Sequence, residues 1–326
     1  MTGRDVVDAL LEVPIVPSFT KVGYDVRRRV DDWRPLDSYD LTGRVMVLTG
    51  ATSGLGRAAA ARIASCGATL VVFGRTAARN DAAVAALIEQ TGNEAISQVA
   101  ADMGDYEQVR ALAAQVLADH DRLDVLMHNA GALSPTRREA PDGTEATVAS
   151  QVVGPFLLTS LLLERLAASE PARVLTMSSG GMYSAGLTVG GLQMPAETYK
   201  GADQYARAKR AQVVLNEMWA DRYGRLGVYF HALHPGWADT PGVDASLPTF
   251  SMIMGPLLRN ADQGADTLVW LAADDAGVSS NGQFWLDRRP RSTHKLPMTK
   301  RTDTPERRNE LWAWVAETGG AAPLVP

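Results

Sequence analysis

One tyrosine and one lysine have the spacing from which acid–base chemistry is expected. Tyr205 and Lys209 lie four residues apart in a segment with helical periodicity, which places both side chains on one helix face. A phenol, with an unperturbed pKa of about 10, exchanges protons poorly at neutral pH, and an adjacent ammonium lowers that pKa. Ser179 is expected to hydrogen-bond a substrate oxygen, to which Tyr205 donates a proton or from which it removes one. Taken alone, such a pair is a frequent accident, a surface tyrosine beside a solvated lysine.

A glycine-spaced turn nearer the N-terminus is expected to bind a pyrophosphate. It follows the apolar residues Val45–Leu48 and precedes the alanine-rich segment Ala58–Ala64, so that a strand, a turn and a helix succeed one another. Its glycines allow, in order, a tight turn, close approach of the backbone to a pyrophosphate, and close packing of the helix on the strand. The alternative is a plain loop before a helix. The residues of this turn that we expect to bind a cofactor are Gly50, Ser53, Gly54, Leu55 and Gly56.

The residues that end the second strand indicate which dinucleotide binds. The chain has Phe73-Gly74-Arg75 here, with no acid to bind a ribose 2′-hydroxyl and a cation beside the strand end. A guanidinium suits a 2′-phosphate because of its planar fork of donors, and Arg79 adds a second charge. We therefore predict a preference for NADP(H) over NAD(H). The alternative is a surface arginine of the kind found in any loop.

Predicted strands and helices alternate from residue 44 onward. Near-continuous apolar strands between helices indicate a parallel sheet covered on both faces, in an α/β fold of the Rossmann, doubly wound type. The predicted strands are 45–48, 69–73, 95–100, 123–128, 173–177, 228–234 and 283–286, and the predicted helices are 58–64, 77–91, 106–119, 144–168, 205–223, 263–273 and 306–317. We expect one domain over 44–286, with a substrate loop at about 237–262, between an N-terminal extension (1–43) and a C-terminal extension (287–326).

The N-terminal extension allows two interpretations. Residues 19–33 mix aromatic side chains with the arginines 27–29 and 34, as in an amphipathic helix that touches a membrane surface. The alternative is a segment packed over the core with a solvated charged face. We favour packing, because Asp25, Asp31 and Asp32 dilute the basic charge.

The pattern Thr49-Gly50-x-x-x-Gly54-x-Gly56, with Ser179, Tyr205 and Lys209 downstream in the same order, resembles the short-chain dehydrogenase/reductase (SDR) family. The resemblance covers about residues 41–286. It implies an oxidoreductase in which hydride moves to or from a nicotinamide while Tyr205 exchanges a proton with the substrate oxygen. It also implies that Lys209 holds the nicotinamide ribose.

The resemblance assigns further cofactor contacts. Asp102, with Met103 beside it, is expected at the adenine, and Asn129-Ala130-Gly131 is expected to support the sheet and border the cofactor. Pro235-Gly236-Trp237 is expected to border the nicotinamide ring, and Thr240 to reach its carboxamide or the diphosphate. All of these residues follow predicted strands, where ligands bind in open α/β sheets.

One position departs from the family pattern. Many SDR enzymes have an asparagine in the helix after the fourth strand that helps a water relay behind the lysine, and this chain has Gln151 there. Glutamine keeps the amide but is one methylene longer. We expect activity to survive; the alternative is a catalytically weakened nucleotide-binding protein with a regulatory or scaffold role. Intact Ser179, Tyr205 and Lys209 argue against that alternative.

A closer likeness within the family is to an orphan branch, the member 12 type, whose substrates are poorly defined. The residues that carry it are His234–Val243, Asp287–His294 and Lys21–Tyr24. The predicted walls of the substrate crevice, 180–198 and 241–258, are rich in methionine and leucine, which suits an apolar carbonyl or alcohol substrate. The alternative for the second segment is a lid helix that packs on its own core, or an oligomer contact.

Composition sets the remaining expectations. A net charge of −5 argues against nucleic acid as the main partner. The single cysteine, Cys66, excludes an internal disulfide framework and is expected to be buried. The apolar stretch 156–166 is too short to span a bilayer, and we expect no transmembrane segment, no bound metal and a cytoplasmic protein. The family resemblance makes a homodimer or homotetramer the expected assembly.

Overall fold

A computed structural model of the chain describes residues 2–239, 252 and 254–322. Its β-strands form one eight-stranded sheet. They are β1 (Val45–Thr49), β2 (Thr69–Gly74), β3 (Ile96–Ala100), β4 (Val125–His128), β5 (Ala172–Met177), β6 (Val228–Leu233), β7 (Phe284–Leu286) and β8 (Arg289–Arg291). Their order in the sheet is β3-β2-β1-β4-β5-β6-β7-β8.

The sheet confirms the predicted Rossmann-type α/β fold. Strands β1 to β7 pair in parallel, and only β8 runs antiparallel to its neighbour. The strand order reverses between β1 and β4, which opens a crevice at the carboxyl ends of these strands.

The sheet does not end where the sequence placed its last strand. We predicted 283–286 as the final strand, whereas β8 adds an edge strand in which Pro290 lies opposite Trp285. A proline lacks the N–H that an inner strand needs and is tolerated at an edge, so its presence among arginines concealed this strand.

The helices cover both faces of the sheet and extend beyond it at both ends of the chain. They are α1 (Gly3–Glu12), α2 (Ile15–Phe19), α3 (Lys21–Val30), α4 (Gly54–Ser65), α5 (Ala77–Thr91), α6 (Tyr106–Asp119), α7 (Ala146–Val148), α8 (Gly154–Ala168), α9 (Gly201–Tyr223), α10 (Ala261–Ala273), α11 (Ala276–Ser279), α12 (Pro297–Thr302) and α13 (Pro305–Gly319). One core lies between the sheet and α6, α8 and α9, and the other lies between the sheet and α4 and α10.

The helical stretch after β4 contains a π-helical turn, which the sequence did not predict. We expected one helix over 144–168 with a bend near Gly154, whereas α7 and α8 are joined by a π-turn at Ala149–Val153. Such a turn inserts one extra residue and is frequent at functional sites. The combined stretch of 23 residues is long and apolar enough to cross a bilayer, but 78% of its most apolar window is buried inside the protein, as in a core helix.

The N-terminal helices pack against the body of the protein. The Tyr24 hydroxyl donates to Asp266 at 3.2 Å, and Arg27 donates to Asp287 at 2.7 Å. The structure therefore favours the packed interpretation, in which Arg28, Arg29 and Arg34 are exposed and Arg27 is the exception. Arg27 is 1% exposed, because it forms ion pairs with buried and partly buried acids of other segments.

Candidate active site

The structure brings Ser179, Tyr205 and Lys209 together at the carboxyl end of β5. Helix α9 begins at Gly201, so Tyr205 lies in its second turn and does not open the helix as predicted. The Lys209 ammonium lies 5.2 Å from the centroid of the Tyr205 ring. A Cβ built on Gly181 would lie 3.5 Å from Ser179 Oγ and 4.0 Å from the Tyr205 ring, so these two side chains adjoin. A phenol, a hydroxyl and an amine thus meet where a ligand of an open α/β sheet is expected.

The two adjacent serines have different environments. The Ser178 hydroxyl is buried and donates to the main-chain oxygen of Lys209 at 3.0 Å, which ties β5 to α9. Ser179 is only partly buried and begins the 3₁₀ helix Gly180–Ser184, where its oxygen accepts a hydrogen bond from the Gly181 N–H at 3.1 Å. This arrangement leaves Ser179, rather than Ser178, facing Tyr205.

The protonation of the tyrosine and the lysine differs from the expectation. We predicted that Lys209 lowers the pKa of Tyr205, whereas burial raises the pKa of the phenol and the hydrogen bond from Ser179 only partly opposes that shift. Lys209 is 2% exposed, and burial lowers the pKa of its amine to about 7. The Lys209 amine donates to the Met177 oxygen at 2.9 Å, and its burial disfavours the charged form that the sequence argument assumed.

Gln151 lies in the π-turn beside Lys209. Its side-chain N–H donates to the Ala132 oxygen at 2.7 Å, and its main-chain oxygen accepts from Gln212 at 2.6 Å. A Cβ built on Gly131 would lie 2.7 Å from Gln151 Oε1 and 3.4 Å from Lys209 Nζ, so all three residues adjoin. Oε1 of Gln151 is buried without a protein partner. An amide oxygen thus lies near the amine, as a relay group requires.

The glycine-rich turn is built for close approach of backbone to backbone. Gly50 has a φ of +70°, and a Cβ there would lie 2.7 Å from Cα of Ala130. A Cβ on Gly56 would lie 2.0 Å from the Gly50 oxygen. Asn129 donates to the main-chain oxygens of Thr49 and Gly50 at 3.0 and 3.1 Å, which ties the ends of β1 and β4 together.

Thr49 is a part of this site that the sequence analysis left without a role. Its hydroxyl accepts from the main-chain N–H groups of Asn129 and Ala130, both at 3.0 Å. The glycine pattern included Thr49 but did not predict these contacts, because the two loops that it joins are 80 residues apart.

The start of α4 fits a phosphate group. The helix begins at Gly54, which has a φ of +52°, and the preceding Ser53 makes no side-chain cap. Its first N–H groups are therefore available to a ligand. Leu55 packs against α10, where a Cβ on Gly264 would lie 2.5 Å from its side chain. An uncapped helix start behind a turn of closely packed glycines suits a pyrophosphate.

Arg75 is exposed at the end of β2, as is Arg79 in the first turn of α5. Asn80, buried beneath them, donates to the main-chain oxygens of Gly74 and Val99 at 3.2 and 2.9 Å and thereby shapes the turn that carries Arg75. The sequence analysis did not identify Asn80. The strand ends in Phe73-Gly74-Arg75 without an acid, so the positive charge of Arg75 is favourable to a phosphate.

Asp102 and Met103 follow β3. Asp102 accepts a hydrogen bond from the Gly104 N–H at 2.8 Å, so one of its oxygens shapes its own loop. Met103 is 4% exposed and packs in the core, which leaves the partly exposed Asp102 as the side chain that a base could reach.

The segment Pro235-Gly236-Trp237 follows β6. Gly236 has a φ of +76°, and its N–H donates to Nδ1 of His234 at 3.1 Å. The Trp237 N–H donates to the main-chain oxygen of Phe19 at 2.7 Å, a contact with the N-terminal extension that no sequence signal predicted. Thr240 lies outside the described residues, as does most of the second predicted substrate wall.

The first predicted substrate wall consists largely of core residues. Met182 and Leu192 are 0% exposed and Leu187 is 2% exposed, so they pack inside the protein and do not line a crevice. The expectation that this segment forms a wall of the substrate crevice therefore has no support from its buried side chains. In the second wall, Met252 and Leu257 are exposed.

The single cysteine is buried, as predicted, and so are two histidines at the end of β6. Cys66 is buried, its thiol donates to the Leu36 oxygen at 3.2 Å, and burial raises the pKa of that thiol. His231 accepts from the indole N–H of Trp285 at 3.1 Å, whereas His234 stacks on Phe284. Within the described residues, no three side chains form a cluster that could hold a metal ion.

Comparison with known proteins decides the family. The family model of short chain dehydrogenases matches residues 44–249. The chain belongs to the short-chain dehydrogenase/reductase family. It is therefore a member of a family of oxidoreductases that bind a nicotinamide cofactor, as the sequence resemblance implied.

Relatives of this SDR protein confirm the branch. It is 37% identical over 295 residues to human dehydrogenase/reductase SDR family member 12, over 90% of this chain and 91% of the human protein. It is 31% identical over 274 residues to human retinol dehydrogenase 12, over 83% and 85% of the two chains. A protein from Escherichia coli CFT073, solved in complex with NADPH, matches the fold with a TM-score of 0.63 at 24% identity, over 78% of this chain and 100% of that one.

Proposed function

We propose that this SDR protein interconverts a carbonyl and an alcohol with NADP(H). The observation that carries the proposal is the meeting of Ser179, Tyr205 and Lys209 at the carboxyl end of β5. A nicotinamide bound beside these three side chains would supply or accept the hydride.

In the proposed reaction each side chain has one task. Ser179 hydrogen-bonds the substrate oxygen and orients it toward the phenol. Tyr205 donates its proton to that oxygen in reduction, and the raised pKa of Tyr205 keeps the phenol protonated and ready to donate at neutral pH. Lys209, held by its bond to the Met177 oxygen, favours the phenolate that remains and would also hold the nicotinamide ribose.

The preference for NADP(H) is proposed from charge. Arg75 is exposed at the strand end that faces an adenosine ribose in this fold, and no carboxylate stands there to repel a 2′-phosphate. The structural neighbour complexed with NADPH is consistent with this choice.

The proposed substrate is an apolar carbonyl or alcohol. Met252 and Leu257 are exposed, and both lie within the predicted substrate loop after β6. A relative named retinol dehydrogenase 12 supports the same chemical class. The buried first wall lends no support, so this part of the proposal depends on the second wall and on the relatives.

A panel of carbonyls and alcohols, each with NADPH, NADH and their oxidised forms, tests the proposal. We expect turnover of apolar carbonyls with NADPH, and a loss of about 10²- to 10⁴-fold in kcat for Tyr205→Phe, which removes the proton donor. The dissociation constant of NADPH should stay within about twofold, as fluorescence titration can show. A clear preference for small charged sugars would contradict the substrate class.

A second candidate function is nucleotide binding without turnover. The Gln212 bond to the main-chain oxygen of Gln151 favours it, because that oxygen is then engaged by the protein. Wild-type turnover no better than that of Tyr205→Phe on a substrate shown to bind would establish this candidate and exclude the oxidoreductase.

A further inference from the structure

A phenylalanine of the N-terminal extension packs against two main-chain segments of the proposed active site. The Phe19 ring is 3% exposed, and its centroid is 4.5 Å from that of His234 and 5.7 Å from that of Trp237. Phe19 therefore packs under the segment that is expected to border the nicotinamide.

The same ring supports the turn that carries Ser179. A Cβ built on Gly180, the residue after Ser179, would lie 2.8 Å from Cε2 of Phe19. Only a glycine fits at this approach without a shift of the ring or the backbone. The ring thus touches both main-chain segments that present the proposed reacting groups.

Main-chain hydrogen bonds fix the position of Phe19. Its oxygen accepts from the Trp237 N–H at 2.7 Å. The oxygens on either side of it are bound by Arg259, whose guanidinium donates to Ser18 at 3.0 Å and to Thr20 at 3.2 Å. Arg259 also donates to the Pro235 oxygen at 3.1 Å, so one side chain clamps the extension to the segment after β6.

A buried charge cluster holds that clamp. Arg27, Arg259 and Asp287 are each 1% exposed. Asp287 accepts from Arg259 at 2.6 Å and from Arg27 at 2.7 Å, and Arg27 donates in turn to the Ser18 oxygen at 3.1 Å. Because a buried guanidinium needs every donor satisfied, this geometry admits little movement of the turn around Phe19.

We propose that Phe19 is a positioning residue for catalysis, through which the N-terminal extension holds the Ser179 turn and the Pro235–Trp237 segment in register. The proposal rests on the proposed function, since it concerns the same site. Phe19 is too buried to touch a substrate, so it acts through Gly180 and Trp237. The helices before β1 are on this account a part of the active-site scaffold.

The test compares two substitutions of equal size. Phe19→Leu removes the ring at this site, and Phe156→Leu removes a ring that is also 3% exposed but packs against Trp219 and Trp312 in the core on the α8 side. Both should lower the melting temperature. Since a displacement of about 1 Å can cost 10²-fold in rate, Phe19→Leu should lower kcat by about ten- to hundredfold, and Phe156→Leu by less than about twofold, in fully folded protein.

Hydrogen–deuterium exchange provides a readout that needs no substrate. In Phe19→Leu, exchange should rise in the peptides that cover 178–183 and 234–239, and in Phe156→Leu those peptides should be unchanged. Equal losses of kcat in the two variants, or no change of exchange at either peptide, would overturn the proposal.

Two further results keep the inference separate from the proposed function. If the wild type turns over no substrate, the proposed function fails, and the exchange comparison alone decides whether Phe19 orders the two segments. If Phe19→Leu does not fold, Phe19→Met, whose unbranched and flexible side chain adapts better to the space of the ring, takes its place against Phe156→Met with the same criteria.

Discussion

Two buried cationic sites of this protein are organised in opposite ways. At the proposed active site, Lys209 is 2% exposed and, among the described residues, forms no ion pair with an acid. In the buried charge cluster, Arg27 and Arg259 are 1% exposed and share the carboxylate of Asp287. A buried charge without a partner shifts its pKa, whereas a paired charge holds segments together. The contrast separates a group suited to chemistry from groups suited to scaffolding.

The strongest test of this contrast is removal of the unpaired charge. Lys209→Met should lower kcat by about 10²- to 10⁴-fold, because the phenolate loses its neighbouring cation. The same variant should increase the free energy of unfolding at pH 7, because burial already lowers the pKa of Lys209 to about 7 and disfavours its charged form. Steady-state kinetics and urea denaturation measure the two effects. A loss of both activity and stability would mean that Lys209 is structural.

Removal of the shared carboxylate should change the free energy of unfolding in the opposite direction, as a decrease. Asp287→Asn should destabilise the protein by about 3–5 kcal/mol, because two buried guanidinium groups lose their counter-ion. Asparagine tolerates the φ of 54° that Asp287 adopts, so the variant isolates the charge from the backbone. Asp121→Asn, at an exposed acid, is the matched control and should change stability by less than about 0.5 kcal/mol. An equal effect of both variants would refute the scaffold role of the cluster.

An exposed cation provides the intermediate case. Arg75→Glu should weaken NADPH binding by about ten- to hundredfold, since a charge-assisted hydrogen bond is worth about 1.5–3 kcal/mol, and should leave NADH binding nearly unchanged. Arg225→Glu, which alters an exposed arginine elsewhere, should change neither affinity. Calorimetric titration of each dinucleotide measures these values. A parallel loss for NADH and NADPH would argue against recognition of the 2′-phosphate by Arg75.

A further consequence of the unpaired amine is a pH dependence of stability. The lowered pKa of Lys209 means that, between about pH 7 and its ordinary value of 10.5, the unfolded chain binds a proton that the folded protein does not. The resulting cost to the folded state is fully present below about pH 7 and fades as the pH rises toward 10.5. The excess stability of Lys209→Met over the wild type should therefore be larger at pH 6.5 than at pH 9.5, as melting curves of both proteins can show. A constant difference would contradict the buried, deprotonating amine.

Local patterns predicted much of the site. The three glycines Gly50, Gly54 and Gly56 lie in one turn, and Tyr205 and Lys209 lie in one helix. Residues this close in the sequence are also close in space, so their spacing alone predicts that they meet. The π-turn at Gln151 escaped prediction because an extra residue in a helix leaves the apolar pattern almost intact. The direction of the Tyr205 pKa shift escaped it because burial is a property of the assembled protein and not of the residue interval.

The sequence alone determined the α/β class, the order of the elements, the family and the residue types at the carboxyl ends of the strands. Each of these depends on short-range periodicity or spacing. Only the tertiary structure decided which charges are buried and which are paired. The contacts of Phe19 with Gly180 and Trp237, and of Arg27 with Asp287, join residues more than 150 positions apart. No local pattern encodes such partners, since they meet only when the packed sheet and the two ends of the chain come together.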